Sequence, residues 1–155
     1  MTQTAVQSYQ TQQIMTASPA KLVALLYDKA VASLNEAAGA IARGDIEARH
    51  NANRKAIDIV AHLWGTLDLE RGGEIAANLD ALYSFMMRRL GEVDSKNDAQ
   101  AAEDVIRLIE PLRKSWHALA AGAAGAAGTG ETNGTATAQA ETPAEAPATS
   151  LTLSA

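Results

Sequence analysis

The stretch TASPAKLVALLYDKAVASLNEAAGAIARGD, Thr16 to Asp45, reads as one helix with both ends marked. Ser18 is placed to cap free backbone amides, and Pro19 suits the first helical position, where a missing N–H removes a donor that has no partner anyway. Leu22, Leu25, Leu26, Ala30, Leu34 and Ile41 follow at helical spacing and give the segment an apolar face. Gly44 offers the left-handed conformation that ends a helix, and Asp45 is placed to cap the next one.

Three further segments carry the same period. The second has Ala56, Ile57, Ile59, Val60, Leu63, Trp64 and Leu67, and ends near Gly72 and Gly73. The third has Ile75, Leu79, Leu82, Tyr83, Met86 and Leu90, and ends around Gly91. Ser95, Asn97 and Asp98 supply turn and cap chemistry for the fourth, where Ala102, Val105, Ile109, Leu112, Trp116 and Leu119 repeat at steps of three and four. Strict alternation of apolar and polar residues appears nowhere over a useful length, so no strand is expected. With short connections, the expected fold is all-α, an antiparallel up-down four-helix bundle. Pro111 lies inside the fourth pattern and predicts a kink or break just before it.

The remaining chain divides into a leader, residues 1–17, and a tail, residues 121–155, around a bundle domain of residues 18–120. The tail has no aromatic residue, Lys or Arg and is rich in Gly, Thr, Ala and Pro, so disorder is expected there. Leu151 and Leu153 near its end read as a frayed terminus more readily than as a docking motif.

Composition excludes several functions. The chain of 155 residues has 13 Lys and Arg against 18 Asp and Glu, a net charge of −5, which gives nucleic acid little clustered positive charge to hold. The absence of cysteine removes thiolate chemistry and Cys-based zinc sites, and no stretch approaches the length of an apolar membrane span. A cytoplasmic protein without membrane insertion is expected. The unit EARH, Glu47 to His50, has the Glu-x-x-His spacing of di-metal bundles, but a second unit is missing, because His62 and His117 follow Ile59 and Lys114 where glutamates are required. Asp58 and His62 lie one turn apart without a nucleophile to activate, and the Gly72-Gly73 pair lacks the further glycines and lysine of a phosphate loop. No catalytic residue, metal site or cofactor is expected.

What remains is apolar geometry. At 100° per residue the apolar arcs of the second and third helices span about 160° and about 200°, against the roughly 100° stripe of a simple surface helix. Such arcs serve either several bundle neighbours or a groove for a partner's amphipathic helix.

The segments YQTQQIMTASPAKLVALLYDKAVASLNEA (Tyr9 to Ala37), KAIDIVAHLWGTLDLERGGEIAANLDALYSFMMRRL (Lys55 to Leu90) and LRKSWHAL (Leu112 to Leu119) resemble the flagellar secretion chaperone family, FliS, over about residues 5 to 120. The resemblance rests on the leader tyrosine followed by TASP, on LLYD, and on GGEIAANLDALY. It implies a small antiparallel helical bundle in the cytoplasm that binds the C-terminal segment of flagellin, prevents early polymerisation and assists delivery to the flagellar export apparatus. It also implies that Tyr9 and Ile14 lie over the groove when no client is bound, and that Ile57, Leu63, Leu67, Leu79, Leu82, Tyr83 and Met86 occupy groove positions, some of which equally suit the core. The expected state is a monomer or weak homodimer. A different class of function, a structural adaptor that oligomerises through the seam of the fourth helix without a flagellin client, fits the same periodicity. The segment GEVDS and Pro111 depart from the family pattern.

Overall fold

The fold is taken from a computed structural model, which describes residue 7 and residues 17–129, with side chains to residue 122. Among the described residues there are four long helices: α1 Pro19–Arg43, α2 Ile46–Gly65, α3 Gly73–Ser95 and α4 Ala99–Thr129. No strand occurs among the described residues. Tyr9, Ile14, Leu151 and Leu153 lie outside them.

Local chemistry sets the boundaries. Ser18 Oγ accepts from the Lys21 amide at 3.2 Å and Pro19 opens α1, as its sequence predicts. At the other end Gly44 adopts φ 72°, its amide reaches Ile41 O at 3.1 Å and the Asp45 amide reaches Ala40 O at 2.9 Å, the paired closure that satisfies a helix's last carbonyls. Asp45 then turns from this closure to start α2, its Oδ1 accepting from the Ala48 amide at 3.0 Å. Asp98 does the same for α4 through the Gln100 amide, at 2.9 Å. Between α2 and α3, Asp68 Oδ1 accepts from the amides of Glu70 and Arg71. Gly72 is required in this turn, because a Cβ there would lie 2.4 Å from the Ala76 Cβ and 2.7 Å from Asp68 O.

Several helix boundaries differ from the sequence expectations. The second helix stops at Gly65, and the segment up to Gly72 is a turn. The third does not stop at Gly91; it continues to Ser95, and Val93 in this added turn is fully buried. Pro111 does not break the fourth, which is one α-helix from Ala99 to Thr129. Pro111 and Arg107, whose carbonyl loses its amide partner, are both exposed, so water can take the place of the missing bond. The alanine-rich run also carries α4 through residues 121–129, beyond the expected start of the tail.

The core joins all four helices. Along α1 the buried positions are mostly small, Ala24, Ala30, Ser33, Ala37 and Ala40, and α2 also buries the small Ala52 and Ala56, residues that let helix axes approach closely. Larger side chains, Leu34, Met86, Leu90, Val105 and Ile109, fill the wider space beyond. Two substitutions test these assignments by urea unfolding. Gly72→Ala should destabilise the protein by about 1–3 kcal/mol through overcrowding. Pro111→Ala should stabilise it by about 1–3 kcal/mol, by restoring a helical bond at an exposed position.

Candidate functional site

Cross-helix bonds show which ends of the helices lie together. Asp28, early in α1, accepts from Arg113 Nη1 at 3.0 Å and meets His117 Nε2 at 2.9 Å, both late in α4. Trp64, at the end of α2, donates to Asp80 Oδ1 in the first half of α3 at 2.7 Å. One end of the bundle therefore collects the starts of α1 and α3 with the finish of α2 and the later part of α4. The other end is tied by Arg49 Nε to Asp94 Oδ1 at 3.1 Å and by Arg89 to Asp104 at 2.6 Å.

The two ends differ in how far they are sealed. Around Arg49 and Arg89 the apolar side chains Leu34, Leu90, Val93, Ala101 and Val105 are fully buried, while Ile46 at the start of α2 and Phe85, one turn before Arg89, are exposed at 68% and 41%. Asn53 is buried with them, and its Nδ2 donates to Leu90 O at 2.9 Å and to Asp94 Oδ2 at 3.0 Å. Towards the opposite end burial fades. Leu22 of α1 is 38% exposed, Ile75 of α3 56% and Leu119 of α4 47%. Val23, Leu26, Leu112 and Trp116 are half-buried against the core. The exposed and half-buried apolar side chains at this end come from α1, α3 and α4.

The boundary between the halves is a pair of tyrosines. Tyr27 and Tyr83 are 1% and 3% exposed, and their hydroxyls are hydrogen-bonded to each other. Burial pushes both phenols above the ordinary value of 10.0, and for Tyr27 the neighbouring Tyr83 hydroxyl adds to the effect. Asp28 lies next to Tyr27. Its burial opposes ionisation, but the hydrogen bonds from His117 and Arg113 outweigh this and hold its carboxyl below the usual range.

The residues expected to form a groove fall into three groups. Leu63, Tyr83 and Met86 belong to the closed core, at 5%, 3% and 0% exposure, so they support the surface from beneath. Ile57, Leu67, Leu79 and Leu82 are half-buried at the core's edge and remain able to touch a partner. Tyr9 and Ile14 lie outside the described residues. Sequence reasoning did not single out the polar groups around this end, Asp28, Arg113 and Asp80; the one-turn spacing of Arg113 and His117 was the available signal. The histidine of EARH is engaged structurally, His50 Nδ1 standing 3.2 Å from Asp94 Oδ2. Asp58 lies 3.9 Å from Arg54, in an exposed pair.

Comparison with known proteins adds a family. Residues 1–123 match the model of the family described as flagellar protein FliS. The flagellar secretion chaperone FliS of Salmonella typhimurium is 42% identical over 104 residues, covering 66% of this chain and 77% of that protein. The chaperone of the same name from Vibrio cholerae is 38% identical over 104 residues, covering 67% and 76% of the two chains. That of Bacillus subtilis is 32% identical over 109 residues, covering 70% and 80%.

The tyrosine pair generates a measurable coupling. Tyr27→Phe or Tyr83→Phe alone should cost about 1–2 kcal/mol, because the surviving hydroxyl is left buried without its partner, and the double substitution should cost less than the sum of the two. Linkage gives the pH dependence. With both phenol pKa values raised by folding, the native state favours their neutral forms, so their contribution is complete below about pH 10 and declines as pH rises further. The depressed Asp28 acts at the other extreme, contributing above about pH 4 and fading as pH falls through its folded pKa. Equilibrium unfolding across pH, with Asp28→Asn and the Phe variants as controls, checks both signs.

Proposed function

On the premise that the chain belongs to the flagellar protein FliS family, a family of flagellar secretion chaperones rather than enzymes, we propose that it binds the C-terminal segment of flagellin in the cytoplasm, prevents premature polymerisation and assists delivery to the flagellar export apparatus. The observation that carries this reading is the unsealed apolar end. Ile75, Leu22 and Leu119 are exposed there, beside half-buried Leu79, Leu82 and Trp116, on three different helices. A client segment that becomes helical only in the filament has an apolar face with nothing to cover it in the monomer. Laying that face on this surface removes both apolar areas from water and makes the segment unavailable to other flagellin molecules.

The leader has a complementary role. Tyr9 and Ile14 cover apolar surface when the client is absent and yield when it binds, the tyrosine ring packing while its hydroxyl stays in water. Ile57, Leu67, Leu79 and Leu82 make client contacts, with Leu63, Tyr83 and Met86 fixing their positions from the core. The protein acts as a monomer or weak homodimer and requires no cofactor. No helix among the described residues is long and apolar enough to cross a membrane.

Calorimetry with a flagellin C-terminal peptide tests the reading. Ile75→Glu places a charge at an exposed position, so the fold should survive while affinity falls by roughly tenfold or more. Tyr9→Ala removes part of the competing cover, so it should tighten binding several-fold without lowering the unfolding midpoint. A stable oligomer that ignores the peptide in size-exclusion chromatography would instead identify a structural adaptor.

A further inference from the structure

The α4 helix is held very differently on the two sides of Pro111. Before it, Ala101, Ala102, Val105 and Ile109 are fully buried. Asp104 is bonded to Arg89 of α3 at 2.6 Å, and Arg89 also pairs with Glu92 and lies 3.7 Å from Asp98. Beyond it, the same apolar stripe is half-buried at Leu112 and Trp116 and exposed at Leu119, with Ala120 alone buried before residue 121. Among the described residues, the polar hold on this second part from another helix is one node, Asp28 with Arg113 and His117, and Arg113 Nη2 also reaches Glu110 Oε2 across Pro111 at 3.1 Å.

The backbone between the two parts is weakened at adjoining points. Pro111 cannot donate to the carbonyl one turn earlier. Its own carbonyl accepts from Ser115 Oγ at 2.9 Å, a side-chain bond that competes with the helical ladder and favours bending. The node itself is incompletely satisfied when closed, since the Arg113 Nε is buried without a hydrogen-bond partner. Leaving such a donor dry opposes closure, whereas opening would hydrate it. The Asp28, Arg113 and His117 side chains are each about one-third exposed, so salt can reach and screen them.

From these observations we propose that α4 is a two-part helix whose later part, Leu112 to Ala121, is a gate hinged at Pro111 and latched to α1 by Asp28 through Arg113 and His117. The earlier part stays with the core when the gate opens. Opening separates Leu112 and Trp116 from the core and exposes the half-buried start of α1, Val23 and Leu26. The motion is a property of the chain alone and does not depend on which client, if any, binds there.

Hydrogen exchange on the full-length protein, read at residue resolution at fixed pH and without any client, tests the gate. In the wild type, amides of residues 112–121 should exchange faster than those of residues 103–110. Asp28→Asn should accelerate residues 112–121 by roughly three- to tenfold and leave residues 103–110 and α3 unchanged. Raising salt to about 0.5 M should accelerate the same residues in the wild type and have little effect in Asp28→Asn. Arg113→Gln should reproduce the Asp28→Asn pattern, and Pro111→Ala should slow residues 112–121 towards the rate of the preceding turns. Unchanged exchange of residues 112–121 in both latch variants would overturn the proposal. So would equal acceleration of α1, α3 and both parts of α4, which marks general destabilisation.

Discussion

Two phenol hydroxyls that find each other inside the bundle divide this molecule. Tyr27 and Tyr83 bring polar atoms to a depth where water cannot serve them, so α1 and α3 must hold one separation for the pair to be satisfied. On one side of the pair, buried side chains from all four helices, Leu34, Leu90, Val93 and Val105 among them, fill the interior. On the other side the spacing is kept, but the side chains available, Leu22, Val23, Leu26, Leu79 and Leu82, do not complete the closure. The hydrogen bond thus sustains a rigid frame beneath a surface that stays apolar and reachable.

Polar side chains reinforce that division. At the closed end Asp94 gathers Arg49, His50 and Asn53, while Arg89 gathers Glu92 and Asp104, so α2, α3 and the start of α4 are tied by several bonds within a short distance. At the open end the ties are isolated: Trp64 to Asp80 between α2 and α3, and the Asp28 node between α1 and α4. The result is a surface that holds its shape beneath and has fewer restraints at its rim.

Much of the architecture was legible because helix ends are written locally. Ser18, Gly44, Asp45 and Asp98 act within three or four residues of themselves, and each does what its position in the sequence predicts. The second and third helix ends were misplaced because turn glycines mark candidates for an ending, whereas packing decides: buried Val93 holds the helix beyond Gly91, and exposure lets Pro111 remain within α4. The site was only partly legible. Periodicity identifies apolar faces, but it does not say which neighbour covers a residue, so Leu63, Tyr83 and Met86 could not be separated from Ile57, Leu67, Leu79 and Leu82. Buried Asn53 and the tyrosine pair were hidden for a related reason, since their partners lie 37 and 56 residues away.

The fully buried alanines of α1 and α2 limit which substitutions the fold tolerates. Ala30, Ala37, Ala40 and Ala56 have no exposed surface, and a bulkier residue at any of them must push two backbones apart. Leu22, Ile75 and Leu119 meet no such obstacle. Substitution is therefore costly at the first set of positions and cheap at the second, so the outer surface can change its chemistry while the packing beneath it stays the same.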